Sequence, residues 1–330
     1  MNLLFQTTGT SGSTEIKNLL GALDADIKLQ NLIPDLITST NEVIDLIGIE
    51  IYNKAVEAYN NGTIAENDKS FVYTVRYPIA VNAYRLFAPS NDISHTNNGR
   101  KMKQDDSEKL PFQWMIDADN AALEKRYYRA LDDLIKFLDR SKVVSETTET
   151  LYTIWTSSDA YKSTQKLFIR TVSEFDDHFP INSRLLLLKL APGIHKCEQY
   201  EIRPRLASEK FNELKTALKA NTPITEPTDL ELIRLIREAS VAYSLAWAMP
   251  RLSVQLYPEG VLQMVTSEKA TTKGAKPPMM SETEAARQAF TNDANRAFVE
   301  IEKLLAPPLA IDETAIIIPE QQFGDKYFSA

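Results

Sequence analysis

Few residues in this chain have the types and spacing that chemistry requires. Its 330 residues include three histidines and one cysteine. His178 follows Asp176 and Asp177, which could form a metal or acid–base cluster with it, but adjacent residues in a turn before a proline point in different directions. His195 lies two residues before Cys197, a spacing that puts the two side chains on different faces of a helix, and a zinc site would need converging ligands from elsewhere. We therefore predict no catalytic residue, no metal site and no cofactor.

Two further segments resemble binding loops only superficially. Residues 9–14 are rich in glycine, serine and threonine, but they lack the Gly-Lys-Ser/Thr ending and the preceding buried strand of a phosphate-binding loop. The basic residues of segment 100–109 alternate with Asp105, Asp106 and Glu108, which favours a solvated loop over a phosphate contact. The chain is accordingly predicted not to be an enzyme.

Composition narrows the remaining classes of function. The chain has a net charge of −8 and is 43% hydrophobic, as expected of a globular protein with little non-specific affinity for nucleic acid. A single cysteine excludes internal disulfides. No apolar stretch approaches the 18 residues of a membrane-spanning helix, so we predict no membrane partner.

The elements that would position any site are predicted to be mainly α-helices. Apolar residues recur three or four positions apart in each predicted helix. These helices cover approximately residues 24–47, 50–60, 66–87, 111–139, 181–203, 208–220, 229–249 and 281–305. Asn97-Asn98-Gly99 is typical of a tight turn and predicts a small β-hairpin, and a second hairpin is predicted over residues 253–264.

The order of these elements repeats in the second half of the chain. A spacing of 159 residues pairs Glu42 with Glu201 and Ala83-Tyr84 with Ala242-Tyr243. Insertions of two and then three residues, both in loops, extend the register to the last helix of each half. One register across successive elements predicts a tandem duplication of a helical-bundle domain, with Tyr84 and Tyr243 largely buried at equivalent sites.

The duplication and the compositional breaks divide the chain into five predicted regions. In order they are an extended N-terminal arm at 1–25, helical domain copy 1 at 26–140, a helical connector at 141–183, helical domain copy 2 at 184–306, and an extended C-terminal arm at 307–330.

The C-terminal arm carries the only predicted interface residues. Ile316, Ile317 and Ile318 form a β-branched run that follows Pro307-Pro308, in a chain whose other patterns mostly predict helices. An uncovered strand of this kind is prone to aggregation, so we predict that the run, together with Phe323, forms a subunit interface. A tail folded back onto its own domain is the alternative.

Three segments of the first half carry a family resemblance. They read LIPDLITSTNEVIDLIGIEIYNKAVEAYNNG, YTVRYPIAVNAYRLFAPSNDISHTNNGRKM and LPFQWMIDADNAALEKRYYRALDDLIKFLDR. This succession resembles a family of uncharacterised proteins encoded by tailed phages and prophages of Bacteroidetes. At a coarser level the helix order is similar to head-tail connector (adaptor) proteins, although typical adaptors are not duplicated.

The resemblance implies a non-enzymatic structural protein of the virion, assembled in the cytoplasm of the bacterial host. It implies a homo-oligomeric ring below the portal, dodecameric by analogy, with portal and tail proteins as neighbours. DNA would pass through the ring without sequence-specific binding. A tail-completion, collar or other helical interaction scaffold protein is the alternative function.

Overall fold

The computed structural model describes most of the chain. The described residues are 2–6, 11–21, 28–60, 66–97, 99–102, 111–140, 151–220, 222–252, 254–257, 260–263 and 280–306.

The first half is a bundle of five helices with one pair of short strands. Its helices are α1 (Ser11–Leu20), α2 (Leu29–Ile47), α3 (Ile49–Asn60), α4 (Glu66–Asn91) and α5 (Gln113–Arg140). Strands β1 (Ile93–Thr96) and β2 (Gly99–Met102) pair antiparallel between α4 and α5, with Ile93 opposite Met102. Helix α4 packs against both α2 and α5, so it lies at the centre of the bundle.

In the described part of the connector, residues 151–183, three short helices lie between the halves. They are α6 (Leu151–Ser157), α7 (Asp159–Gln165) and α8 (Val172–Asp176). Local capping explains their boundaries, because Ser158 accepts a hydrogen bond from the Tyr161 amide and Thr171 forms a capping box with Glu174. The connecting segment buries three large apolar side chains, namely Trp155 of α6, Phe175 of α8 and Phe168, which lies between α7 and α8.

The second half begins with α9 (Arg184–Cys197), which continues through a π-helical turn (Glu198–Ile202) into α10 (Arg203–Leu206). The remaining elements are α11 (Ser208–Lys219), α12 (Pro227–Leu252), β3 (Val254–Tyr257), β4 (Gly260–Gln263) and α13 (Met280–Leu305). Helix α12 packs along α13 on one side and α9 on another. Helix α9 also contacts α5 of the first half, where Arg184 forms an ion pair with Asp139 at 3.2 Å.

The prediction of a mainly α protein is confirmed, and the buried face of α5 is the clearest case. The apolar residues that recur at helical spacing along α5 are all buried, namely Leu123, Tyr127, Leu131, Leu134 and Leu138. Tyr84 and Tyr243, by contrast, are half-buried rather than largely buried. Tyr243 borders an open pocket, which accounts for its exposure.

The prediction of an extended N-terminal arm over residues 1–25 is wrong for the described part of that segment. Leu4 and Phe5 are buried in the core of the first half, together with Ile16 of α1. The Tyr52 hydroxyl donates a hydrogen bond to the Asn2 carbonyl oxygen at 2.7 Å. Leu4 and Phe5 are therefore part of the bundle, because α3 and α4 provide a surface that covers them.

Polar contacts hold α1 in the same place. The Glu15 carboxylate accepts a hydrogen bond from the Tyr59 hydroxyl at 2.8 Å and pairs with Arg76 at 2.6 Å. Burial is the main cause that raises the pKa of Tyr59 to about 12, and the Glu15 carboxylate adds to it.

The C-terminal arm at 307–330, with Ile316, Ile317, Ile318 and Phe323, lies outside the described residues, as does the first part of the connector, 141–150. Of the predicted connector, residues 151–183 are described.

Two sharp corners follow α2 and α10 with nearly the same backbone conformation. Gly48 has φ 89° and ψ 150°, and Ala207 has φ 62° and ψ 153°. Glycine adopts these backbone angles without strain. Alanine is strained at them, because its Cβ atom crowds the backbone.

Replacing Ala207 by glycine is therefore expected to raise the free energy of unfolding by about 1 kcal/mol, since relief of strain exceeds the entropy that glycine costs. Chemical denaturation followed by circular dichroism measures the change. Ala220→Gly is the control, because Ala220 has right-handed helical angles and gains nothing from glycine. Loss of stability in Ala207→Gly would show that Ala207 is not strained.

Candidate functional site

The residues that the sequence singled out for chemistry do not converge. His195 is exposed, whereas Cys197 is fully buried and lies 3.8 Å from the Ser240 hydroxyl. Burial raises the pKa of the Cys197 thiol, which keeps it protonated and unreactive. His178 is half-buried, and burial lowers its pKa. In the described part of the chain, no three side chains of histidine, cysteine, aspartate or glutamate come together to hold a metal ion.

The first half contains a closed polar network between α2, α4 and α5. Glu42 accepts hydrogen bonds from the Tyr127 hydroxyl at 2.7 Å and from the side-chain amide of Asn82 at 2.9 Å. The Asn82 oxygen in turn accepts from Arg85, whose guanidinium lies 5.6 Å from the centre of the Tyr127 ring. Burial is the main cause that raises the pKa of Tyr127, and the Glu42 carboxylate adds to it. The phenol therefore keeps its proton and remains a hydrogen-bond donor. Every member has a partner, and Tyr127 fills the space between the helices.

The second half holds a pocket of about 480 Å³ between α12 and α13. We call it the α12–α13 pocket. In the sequence register that pairs Ala130 with Ala294, Thr291 is paired with Tyr127. Threonine is the smaller of these two side chains. The lining residues are Glu201, Tyr243, Ala246, Trp247, Pro250, Arg251, Arg287, Thr291, Ala294, Asn295 and Phe298.

The walls of the α12–α13 pocket combine aromatic rings with charged groups. The Trp247 ring packs on Gly193 of α9, where an added Cβ atom would come within 2.8 Å of the ring, so only glycine allows this approach. The Arg251 guanidinium lies 5.2 Å from the centre of the Trp247 ring. The indole nitrogen of Trp247 is buried without a hydrogen-bond partner.

Carboxylates accompany the arginines of the pocket. Glu201 accepts a hydrogen bond from Arg205 at 2.9 Å, and Arg287 pairs with Glu284. Burial raises the pKa of Tyr243, and nearby Cys197 and Glu201 add to this effect. The arrangement can hold a flat aromatic group and accept a hydrogen bond from it, as Glu42 does from Tyr127.

Sequence reasoning missed this pocket, although its signal was present. The register already paired Glu42 with Glu201, and the same register sets Tyr127 against Thr291. The signal is a carboxylate at both paired positions together with the pairing of a large ring and a small side chain.

A second polar feature is a buried ion pair at the π-helical turn. Glu198 is fully buried, accepts a hydrogen bond from the Phe168 amide at 2.6 Å and pairs with Lys215 of α11. The Lys215 ammonium group lies 4.9 Å from the Phe168 ring centre and 5.2 Å from that of Phe211. Burial raises the pKa of Glu198 and lowers that of Lys215. All these contacts are internal, which makes the pair a structural element.

The start of α5 exposes large apolar side chains. Phe112 is 71% exposed, Trp114 60% and Met115 45%. We call these three residues the α5 apolar surface. At the start of α13, Met280 is 91% exposed. Large apolar side chains that are exposed close together in the chain favour an interaction site on the protein surface.

None of the helices in the described ranges has the length and apolar character needed to span a membrane.

Comparison with known proteins gives one family match. A model described as a family of unknown function (DUF6712) matches residues 43–165 and 202–307. No curated protein and no solved structure gives a significant match to the chain.

Proposed function

The chain belongs to the family DUF6712, and because the description of that family assigns no activity, we propose from its surface that it is a non-enzymatic subunit of a homo-oligomeric assembly. The α5 apolar surface carries this proposal. Burying a side chain such as Phe112 or Trp114 contributes about 1.5 to 3 kcal/mol, so a contact that covers the surface is favourable.

A second copy of the chain is the partner that fits this surface. The first half presents Phe112, Trp114 and Met115, and the second half presents Met280 at the start of its own long helix. A contact between different surfaces of successive copies is head-to-tail, and such contacts close into rings when the rotation allows it.

We also propose that the two halves are copies of one domain. The two matched stretches of the family begin at residues 43 and 202, which are 159 residues apart and thus follow the register read from the sequence. Helices α3 and α11 both have 12 residues and begin at Ile49 and Ser208, again 159 apart. The corners at Gly48 and Ala207 share this spacing and both have positive φ.

We propose more specifically that the chain is a subunit of the head-tail connector ring of a tailed phage, located in the virion below the portal. Its support is the sequence resemblance of the three quoted segments. The net charge of −8 fits a ring through which DNA slides, since binding to phosphates would slow it. Portal and tail proteins would then be the neighbours, and Ile316, Ile317, Ile318 and Phe323 would extend onto an adjoining subunit.

Light scattering and two-dimensional averages from electron microscopy test the assembly. Full-length protein is expected to form rings, and Trp114→Ser is expected to shift the population toward the monomer by about tenfold or more, because burial of one such side chain is lost.

Tyr200→Ser is the matched control, because Tyr200 is 72% exposed but lies on the π-helical turn. A wild-type protein that remains monomeric at high concentration would contradict the proposal. So would rings that form equally well with Trp114→Ser.

A further inference from the structure

The α12–α13 pocket lacks the side chain that fills the same position in the first half. Tyr127 occupies that position on α5 and donates to Glu42, whereas Thr291 and Glu201 stand there in the second half. Arg287 and Asn295 also stand where α5 has the apolar residues Leu123 and Leu131. The pocket therefore has the volume for a ring and, unlike its counterpart, a polar rim.

This chemistry selects a phenol presented next to an acidic residue. Tyr243, Trp247 and Phe298 provide aromatic walls, and the Glu201 carboxylate can accept a hydrogen bond from a hydroxyl group. Arg251 at the rim favours a negatively charged neighbour of the ring, whereas Arg287 is already paired with Glu284.

The C-terminal segment of this chain carries such a group. Within residues 307–330, Tyr327 has a phenol, Asp325 precedes it by two residues with Lys326 between them, and the segment as a whole is acidic. The segment begins directly after α13, and about 20 extended residues reach up to about 70 Å. A segment of this length can reach a neighbouring copy, which is the partner that the proposed self-assembly supplies.

We propose that the α12–α13 pocket receives the Tyr327 ring from the C-terminal segment of a neighbouring copy, with the phenol donating to Glu201. The inference rests on the proposed self-assembly and names the contact that links successive subunits. In the assembly, a tyrosine from a neighbouring copy would then fill the pocket, as Tyr127 fills the equivalent position of the first half within one chain.

Cysteine cross-linking between full-length chains tests the contact. One chain carries Asn295→Cys at the exposed pocket rim, and a second, size-tagged chain carries Phe328→Cys next to Tyr327. Native Cys197 is buried, so it does not interfere. Mild oxidation of the mixture is expected to give a disulfide-linked mixed dimer. Leu230→Cys, exposed at the far end of α12, replaces Asn295→Cys in the control and is expected to give none.

A pocket-filling variant tests the role of the cavity itself. Adding Thr291→Tyr to the Asn295→Cys chain restores the side chain of the first half and is expected to abolish the cross-link, whereas Thr291→Ser is expected to preserve it.

A cross-link that survives Thr291→Tyr would overturn the proposal, as would one that forms only when both cysteines are on the same chain. Rings that assemble without any cross-link would refute the Tyr327 contact and leave the proposed assembly intact. A protein that stays monomeric and does not cross-link would refute both.

Discussion

Replacing Glu198 by alanine is expected to lower the free energy of unfolding by about 3 to 5 kcal/mol. The substitution removes the counter-ion of Lys215, which keeps only the Lys166 carbonyl oxygen as an acceptor, and leaves the buried Phe168 amide without its acceptor. Removing one partner of a buried pair costs more than the pair contributes, because the remaining charge has lost both water and its counter-ion. Urea denaturation followed by circular dichroism measures the loss.

Two further variants separate this effect from a general intolerance of α11 and its surroundings. Glu213→Ala removes a carboxylate that is 65% exposed and is expected to change stability by less than about 0.5 kcal/mol. Combining Glu198→Leu with Lys215→Met is expected to recover much of the loss, since no unpaired charge remains. A double variant as unstable as Glu198→Ala would contradict the electrostatic explanation.

Replacing Trp155 by alanine is expected to cost about 3 to 5 kcal/mol. Trp155 is fully buried in the core of the first half, and its indole nitrogen donates to Asp139 at 2.7 Å. Asp139 also pairs with Arg184 of α9, so the variant loses packing and loosens a contact between the halves. Thermal and urea denaturation report the change.

Trp114→Ala is the matched control for Trp155→Ala, because it removes the same ring from an exposed position. Its stability is expected to change by less than about 0.5 kcal/mol while its self-association weakens. Equal destabilisation by the two substitutions would contradict the assigned burial.

The long helices were predictable because the apolar residues of each helix recur at helical spacing within its own sequence. Helix α5 repeats apolar residues from Leu123 to Leu138 at helical spacing, and the bundle buries that face. The connector was predictable in part, because residues as large as Trp155 and Phe175 need cover wherever they lie.

The N-terminal segment was not predictable in this way. Leu4 and Phe5 form too short a run to show a period, and their burial depends on α3 and α4, which lie about 50 or more residues away along the chain. Side chains such as Tyr59 and Arg76, which hold Glu15, give no sign in the sequence that they face α1. Tertiary contacts, not local pattern, determine this part of the fold.

The α12–α13 pocket could be located from the sequence only by comparing the halves residue by residue. No single residue of its lining is unusual for a helix surface. Its lining includes the small side chain of Thr291, and one small side chain on a helix leaves no periodic pattern in the sequence.

The three short helices between the halves have a thermodynamic consequence. Trp155 belongs to the core of the first half, Phe168 to the core around α11, α12 and α13, and Phe175 to a third cluster around α9. Asp139, which accepts the hydrogen bond of Trp155, also pairs with Arg184 of α9, and Leu185 and Leu188 of α9 pack against the core of the first half. We therefore expect the two halves to melt in one cooperative transition. Neither half is expected to fold as an autonomous module.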